Sequence, residues 1–118
     1  MNRFYWVYIL TNGRYGTLYV GVTNSLERRI AEHRAGEIAG FTKTYGLDRL
    51  VYFRDFSDVH EAIRFEKRLK RWRRTWKMRL IEAENPYWAD LYSEIMALPP
   101  LHPDIRDAPG SQDARTTA

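Results

Sequence analysis

Two strand-like segments joined by a turn sequence begin the chain, and they limit what it can fold into. Residues 4–10 are apolar on both alternating faces and rich in β-forming side chains, which predicts a strand in the middle of a sheet. Asn12-Gly13 follows, a dipeptide typical of hairpin turns. Residues 17–22 form the predicted return strand. The chain therefore starts with an antiparallel hairpin.

The length of the hairpin loop decides which side chains meet across the two strands. With a four-residue loop at 12–15, Tyr8 pairs directly with Tyr19 on one face of the sheet. Gly21, at the end of the return strand, suggests a close approach of another group to the backbone or a required dihedral angle. A phenol has a pKa near 10, so a role as a base requires neighbouring cations or a metal.

The rest of the chain predicts a third strand and several helices. The predicted elements are a helix from the cap Asn24 to about residue 35, a polar loop at 37–48, a strand at 49–56, a helix from the cap Ser57 or Asp58, a short helix at 75–83 and one or two helical turns within 88–98. This order, β-β-α-β-α-α, predicts an α/β (α+β) domain with a small three-stranded antiparallel sheet flanked by helices.

Composition sets the outer limits of the domain and of its chemistry. We expect one domain over residues 1–98 and a disordered tail over residues 99–118, which are rich in Pro, Gly, Asp and Thr. The absence of cysteine excludes disulfides, thiolate catalysis and cysteine-type zinc sites. There is no membrane-length apolar run and no signal-peptide layout at the start, so we expect a cytoplasmic protein without a membrane partner.

Positive charge is concentrated in one part of the chain. Residues 1–77 hold 16 Lys and Arg against 8 Asp and Glu, whereas residues 78–118 hold 3 against 7. The segment 67–77, KRLKRWRRTWK, carries seven cations and no anion. Such a segment attracts polyanions, because neutralised phosphates release condensed counterions. A solvated helix face is the ordinary alternative, but Trp72 and Trp76 within the segment favour nucleic acid, unless they only anchor the helix to the core.

One carboxylate interrupts the apolar stripe of the second long helix. Val59, Ala62, Ile63 and Leu69 follow helical spacing, and Glu66 completes the stripe. A buried carboxylate is costly unless it is paired or binds a cation. Spacing alone leaves three alternatives open: a salt bridge with a nearby Lys or Arg, a helix rotation that exposes Glu66, or a bound metal.

Arg29 and His33 lie one turn apart on the flank of the first helix, whose inward face carries Leu26 and Ile30. Arg29 suits the stabilisation of negative charge during phosphoryl transfer. His33 can hydrogen-bond a phosphate or orient a phenol or a water. A pair of half-exposed surface side chains is the ordinary alternative.

Taken in order, these residues resemble the motifs of the GIY-YIG nuclease superfamily, in its small single-domain branch. The resemblance covers about residues 3–93, and the matching positions are Val7-Tyr8 in WVYIL, Tyr19-Val20-Gly21, Arg29, His33, Glu66 and Asn85. Two positions depart from the family pattern. Trp6 replaces the first glycine, and Val22 stands where some relatives carry a lysine.

The resemblance implies a metal-dependent endonuclease that hydrolyses phosphodiester bonds. It places Mg²⁺ or Mn²⁺ on Glu66, makes Tyr8 or Tyr19 the general base, and gives Arg29 and His33 catalytic roles. We expect the substrate to be nucleic acid, most simply DNA, bound by a monomer without an organic cofactor. The expected substrate-binding residues are Asn85, Lys67, Lys70, Arg71, Arg74 and Lys43.

Two other functions compete with this hypothesis. A non-catalytic or weakly catalytic nucleic-acid-binding module, on DNA or RNA, needs only the basic helix. A protein-interaction adaptor would leave the tyrosine, arginine and glutamate set unexplained. Within the nuclease hypothesis, a single domain favours backbone recognition, and thus a structure-selective enzyme of repair or recombination.

Overall fold

The structure is a computed structural model, and it describes residues 4–97 of the 118-residue chain. The predicted disordered tail at 99–118 lies outside the described residues, as does the predicted domain end at residue 98. Within residues 4–97, no helix is long and apolar enough to cross a membrane.

The three predicted strands form one antiparallel sheet. They are β1 (Tyr5–Thr11), β2 (Leu18–Thr23) and β3 (Arg49–Phe56). Their order is β2-β1-β3, so β1 is the central strand. Its last five residues are all buried, as the apolar sequence on both faces predicts.

The predicted register of the hairpin is wrong by two residues. Tyr8 lies opposite Gly21, and Tyr19 lies opposite Leu10, because the loop spans residues 12–17. Side chains alternate along a strand with a period of two, so this shift leaves Tyr8 and Tyr19 on the same face. They are diagonal rather than direct neighbours.

Hydrogen bonds inside the loop explain its extra length. The Gly16 amide donates to the Gly13 carbonyl at 2.8 Å, and the Thr17 amide donates to the Asn12 side-chain oxygen at 3.1 Å. These bonds make a turn within the loop and delay the return strand. The Asn-Gly dipeptide therefore marks the beginning of the loop rather than its centre.

Within the described residues, five helices accompany the sheet. They are α1 (Leu26–Arg34), α2 (Phe41–Tyr45), α3 (Val59–Arg71), α4 (Arg74–Glu84) and α5 (Tyr92–Ala97). The predicted order is confirmed for the sheet and for the longer helices α1, α3 and α4. The prediction of a loop over residues 37–48 is wrong at α2, a single turn bounded by glycines at positive φ, 107° for Gly40 and 66° for Gly46.

The predicted cap residue is confirmed for α3 and wrong for α1. The Asp58 side chain accepts a hydrogen bond from the His60 amide and caps α3, as predicted. The predicted cap of α1 at Asn24 is wrong. Ser25 occupies that position without a side-chain cap bond, and its amide donates to the Thr23 hydroxyl at 3.1 Å.

Helices cover both faces of the sheet and make two cores. On one face, α3 and α4 pack against a cluster centred on Val7, Ile9 and Val20. On the other, Tyr8 and Leu10 join Leu26, Ile30 and residues of α5. The two tyrosines therefore lie in the layer of α1, whereas Glu66 belongs to the layer of α3.

Candidate active site

The Tyr8 phenol occupies space that only a glycine leaves free. Tyr8 is 1% exposed and lies opposite Gly21 on β2. A Cβ atom added at Gly21 would lie 2.9 Å from Tyr8 Cε2 and still closer to the end of the ring. Gly21 has no positive φ, so the close approach of the phenol is what requires a glycine at this position.

His33 links the central strand to α2 through two hydrogen bonds. Its Nε2 lies 3.1 Å from the Tyr8 hydroxyl, and its Nδ1 lies 3.0 Å from the Thr42 hydroxyl. His33 and Thr42 are both buried. A neutral imidazole has one donor and one acceptor nitrogen, so the ring donates one of these bonds and accepts the other.

Burial and nearby charge keep His33 neutral. Burial lowers the pKa of His33, the Arg29 guanidinium lowers it further, and Glu32 partly offsets both. Near neutral pH the imidazole therefore acts as a fixed hydrogen-bonding bridge rather than as a cation.

Tyr19 completes the cluster on the same face. Its ring centroid lies 6.3 Å from that of Tyr8 and 5.7 Å from that of His33. The two phenols are not equivalent. Tyr8 is fully buried, and burial raises its pKa, with Tyr19 adding to the rise and Arg29 opposing it. Tyr19 is only half-buried.

Arg29 lies on α1 beside this cluster and keeps access to solvent. Its side chain is 42% exposed, and its nearest carboxylate, on Glu32, is 3.4 Å away. An exposed ion pair of this length is weak. The guanidinium can therefore turn to a phosphate next to the tyrosines. Tyr8, Tyr19, Arg29 and His33, four of the five predicted catalytic residues, are thus gathered on one side of the sheet.

Glu66, the fifth, lies on α3 as a buried carboxylate. It is 7% exposed, and its Oε2 pairs with Lys70 Nζ at 2.5 Å, one helical turn away. The helix is not rotated to expose it, so one of the sequence alternatives is excluded. Within residues 4–97, no hydrogen bond or ion pair joins Glu66 to the tyrosine cluster. The helix that carries it packs against β1 and β2, the strands that carry the tyrosines.

The residues around Glu66 fit a divalent metal only as a sparse site. No group of three or more His, Cys, Asp or Glu side chains comes together within residues 4–97. Mg²⁺ often binds one or two carboxylates and takes its other ligands from water and substrate phosphates. Glu66 meets that requirement once Lys70, whose side chain is 53% exposed, rotates away.

The Asn85 side chain is buried and hydrogen-bonded to the backbone rather than exposed to solvent. Its amide nitrogen donates to the carbonyls of Val51 and Ala89, and its side-chain oxygen accepts from the Ala89 amide. It is 7% exposed. Asn85 therefore ties the segment after α4 to β3, and we expect it to position that segment rather than to contact substrate.

The predicted substrate-binding cations lie on two surfaces. Lys67, Lys70 and Arg71 are exposed on α3, and Lys43 is exposed on α2, next to Thr42. Arg74 is exposed but engaged, since it donates at 2.6 Å to the carbonyl oxygens of Tyr15 and Gly16 at the hairpin loop. It braces the hairpin.

Comparison with known proteins identifies the family. Residues 4–79 match the family model of the GIY-YIG catalytic domain, which covers every residue of the cluster. The chain belongs to the GIY-YIG family. Membership gives it a nuclease-like fold, and nucleic acid is the substrate that such a domain implies.

Several relatives carry the UPF0213 name. One from Oceanobacillus iheyensis is 38% identical over 85 residues, which cover 72% of this chain and 98% of the relative. One from Staphylococcus haemolyticus is 44% identical over 66 residues, or 56% of this chain and 80% of the relative. The solution NMR structure of a UPF0213 protein from Bacillus halodurans is 32% identical, with a TM-score of 0.48, and covers 74% of this chain and 92% of that one.

Sequence reasoning missed Thr42, the residue that holds the far side of His33 in this GIY-YIG domain. It lies in a segment that reads as a polar loop, where a threonine carries no signal of its own. Gly46 was the available clue, because a glycine in the left-handed conformation commonly ends a helix.

Proposed function

We propose that this GIY-YIG domain is a divalent-metal-dependent endonuclease that hydrolyses phosphodiester bonds in DNA. We further propose that it acts as a monomer in the cytoplasm and selects substrates by structure, in repair or recombination. The observation that supports the proposal best is the cluster of Tyr8, Tyr19, Arg29 and His33, in which a buried polar network lies beside a solvent-accessible cation. A module that only bound nucleic acid would not need this buried network.

Within the cluster, we assign the general base to Tyr19. The Tyr8 hydroxyl is committed to His33, and burial raises its pKa, so the Tyr8 phenol resists losing a proton. Tyr19 is more exposed and can reach an attacking water. In this scheme Tyr8 and His33 hold the cluster in place.

Arg29 and Glu66 act on the phosphate from two sides in this proposal. Arg29 donates to the non-bridging oxygens as negative charge develops on them. A divalent cation on Glu66 would stabilise the departing 3′ oxygen and the scissile phosphate. The exposed cations of α3 hold the phosphates of the flanking nucleotides.

One observation favours a second candidate, a binding module with little or no cleavage. Glu66 is held by Lys70, and nothing in residues 4–97 links it directly to the tyrosine cluster. If that ion pair persists with substrate bound, the metal is not retained, and the basic surface still binds nucleic acid.

The test is cleavage of labelled DNA and RNA with Mg²⁺ or Mn²⁺, using single-stranded, duplex, flap and branched substrates. We expect Tyr19→Phe to lower the cleavage rate about 100-fold or more, the usual contribution of a general base, and Glu66→Gln to abolish metal-dependent cleavage. The matched controls are Tyr87→Phe and Glu61→Gln, which change exposed side chains of the same types.

The outcomes separate the two candidates. Cleavage lost in both active-site variants and kept in both controls supports the nuclease. Binding without cleavage in the folded wild-type protein favours the binding module. Equal cleavage by wild type and Glu66→Gln would refute the assignment of the metal ligand.

A further inference from the structure

A shallow aromatic groove, largely open to solvent, lies at the junction of α3 and α4, away from the tyrosine cluster. It has a volume of about 330 Å³ and is lined by Trp72, Trp76, Arg79 and Leu80. The two indole rings meet edge to face, with centroids 5.8 Å apart. Trp72 is packed against the core, whereas Trp76 is 49% exposed. The Trp76 indole therefore rests against an anchored Trp72 ring and is half-exposed to solvent.

The surroundings of the groove are strongly cationic. Its tryptophans belong to the segment 67–77, which has seven cations and no anion, and Arg79 adds another on the groove wall. Burial lowers the pKa of Lys77, and the positive charge of Arg74 lowers it further. This local excess of positive charge attracts anionic partners.

We propose that this groove binds an unpaired nucleobase of the substrate, stacked on Trp76, while the surrounding cations hold the adjoining phosphates. The proposal rests on the proposed function, since it specifies the substrate class of the same enzyme. Aromatic stacking combined with a basic surface is how proteins bind single strands without reading sequence. Bases inside a duplex are already stacked and cannot enter the groove.

The position of the groove sets where the unpaired base lies. Trp72 is the residue that follows α3 and comes six residues after Glu66, which displaces it by about 9 Å along the helix axis at ~1.5 Å per residue and by roughly a third of a turn around it. A stacked strand advances about 3.4 Å per nucleotide, so the groove is at least roughly two to three nucleotides from Glu66. We therefore infer a substrate with an unpaired segment close to the cleaved bond, such as a flap, a gap or a single strand.

The test compares oligonucleotides of about 12 nucleotides that differ only in whether the central residues carry bases or are abasic. Affinity is measured by fluorescence anisotropy without divalent metal, so that cleavage plays no part. We expect the wild type to prefer the base-bearing strand about tenfold, within the range that one stacked base contributes. Trp76→Ala should lose this preference, Trp76→Phe should keep most of it, and Tyr87→Ala, at another exposed aromatic, should leave it unchanged.

A wild-type protein that binds both strands equally would overturn the proposal, as would a Trp76→Ala protein that keeps the preference. Quenching of wild-type tryptophan fluorescence gives a second readout that needs no variant. It should be stronger with the base-bearing strand, and equal quenching would contradict the groove site. Failure of the nuclease proposal is seen in the cleavage assay instead, because a protein that never cleaves can still prefer the base-bearing strand in this binding assay.

Discussion

Replacing Gly21 by alanine tests how tightly Tyr8 is packed, because the free energy of unfolding should fall if the added methyl group meets the Tyr8 ring and rise if it does not. Glycine in a strand interior is less stable than alanine by about 0.5–1 kcal/mol, so an unobstructed Gly→Ala change should stabilise the protein. At Gly21 the added Cβ would meet the Tyr8 ring, with Cε2 at 2.9 Å and the end of the ring closer. We therefore expect destabilisation.

The size of the effect follows from how little the phenol can move. Tyr8 is 1% exposed and bonded to His33, so the ring has no open space to enter. Overpacking of a core costs about 1–3 kcal/mol. Because contacts at 2.9 Å and closer force the ring or the backbone to shift, Gly21→Ala should cost about 2–3 kcal/mol, the upper part of that range. After the intrinsic gain of alanine, about 0.5–1 kcal/mol, is subtracted, the net loss in the free energy of unfolding is about 1–2.5 kcal/mol. For a domain of this size that lowers Tm by roughly 4–20 °C.

Urea denaturation of Gly21→Ala beside Gly13→Ala measures this difference. Nothing lies within 4 Å of a Cβ added at Gly13, and its φ is not positive, so this control should be neutral or slightly stabilising. A second prediction of the same reasoning is that Gly21→Ala costs less in a Tyr8→Ala background. A Gly21→Ala protein as stable as the wild type would refute the packing argument.

Two further predictions concern buried polar side chains. Asn85→Ala removes the buried hydrogen bonds between β3 and the segment after α4, so we expect it to lower the free energy of unfolding by about 1–3 kcal/mol without changing the nucleic-acid affinity of the folded protein. Asn24→Ala, at an exposed asparagine, should change neither quantity. An Asn85→Ala protein with wild-type stability and weakened binding would contradict this prediction. Because the pKa of His33 is lowered below 6.5, the unfolded chain binds that proton more strongly, and stability should fall as the pH drops below 6.5. Urea titrations at about pH 8 and pH 5 measure how much free energy of unfolding is lost between the two pH values. This loss should be smaller in His33→Gln than in the wild type or His60→Gln, and an equal loss in all three proteins would count against the role of His33.

Much of the fold could be predicted because its signals are local. The three strands and the helix that follows Asp58 are each specified by a run of apolar residues with a distinct period and by a capping or turn residue. The register of the hairpin could not be read in the same way. It depends on hydrogen bonds inside the loop, and nothing in an Asn-Gly dipeptide shows that Thr17 will bond back to Asn12.

The residues of the candidate site also differ in whether a local sequence signal reveals them. Glu66 could be singled out because a carboxylate in an apolar stripe contradicts the period of its own helix. A salt bridge with a nearby Lys or Arg was among the expected alternatives, but spacing alone did not identify Lys70 as the partner. Thr42 gave no signal, because its importance comes from a contact with His33 across two helices. Asn85 was found through family resemblance, and only the structure shows which of its atoms are occupied.

The central position of β1 has a consequence for how the chain folds during synthesis. β1 pairs with β2 across a short loop, but it also pairs with β3, whose last residue is more than 30 residues beyond the end of β2. At about 5–20 residues per second, the ribosome needs roughly 2–7 s to make that segment. Through this interval β1 can pair only with β2, so one edge of the central strand is left unpaired, and unpaired strand edges promote association between chains. The nascent domain is therefore most exposed to aggregation before Phe56 is added, and substitutions that slow closure of β3 should reduce its soluble yield more than its final stability.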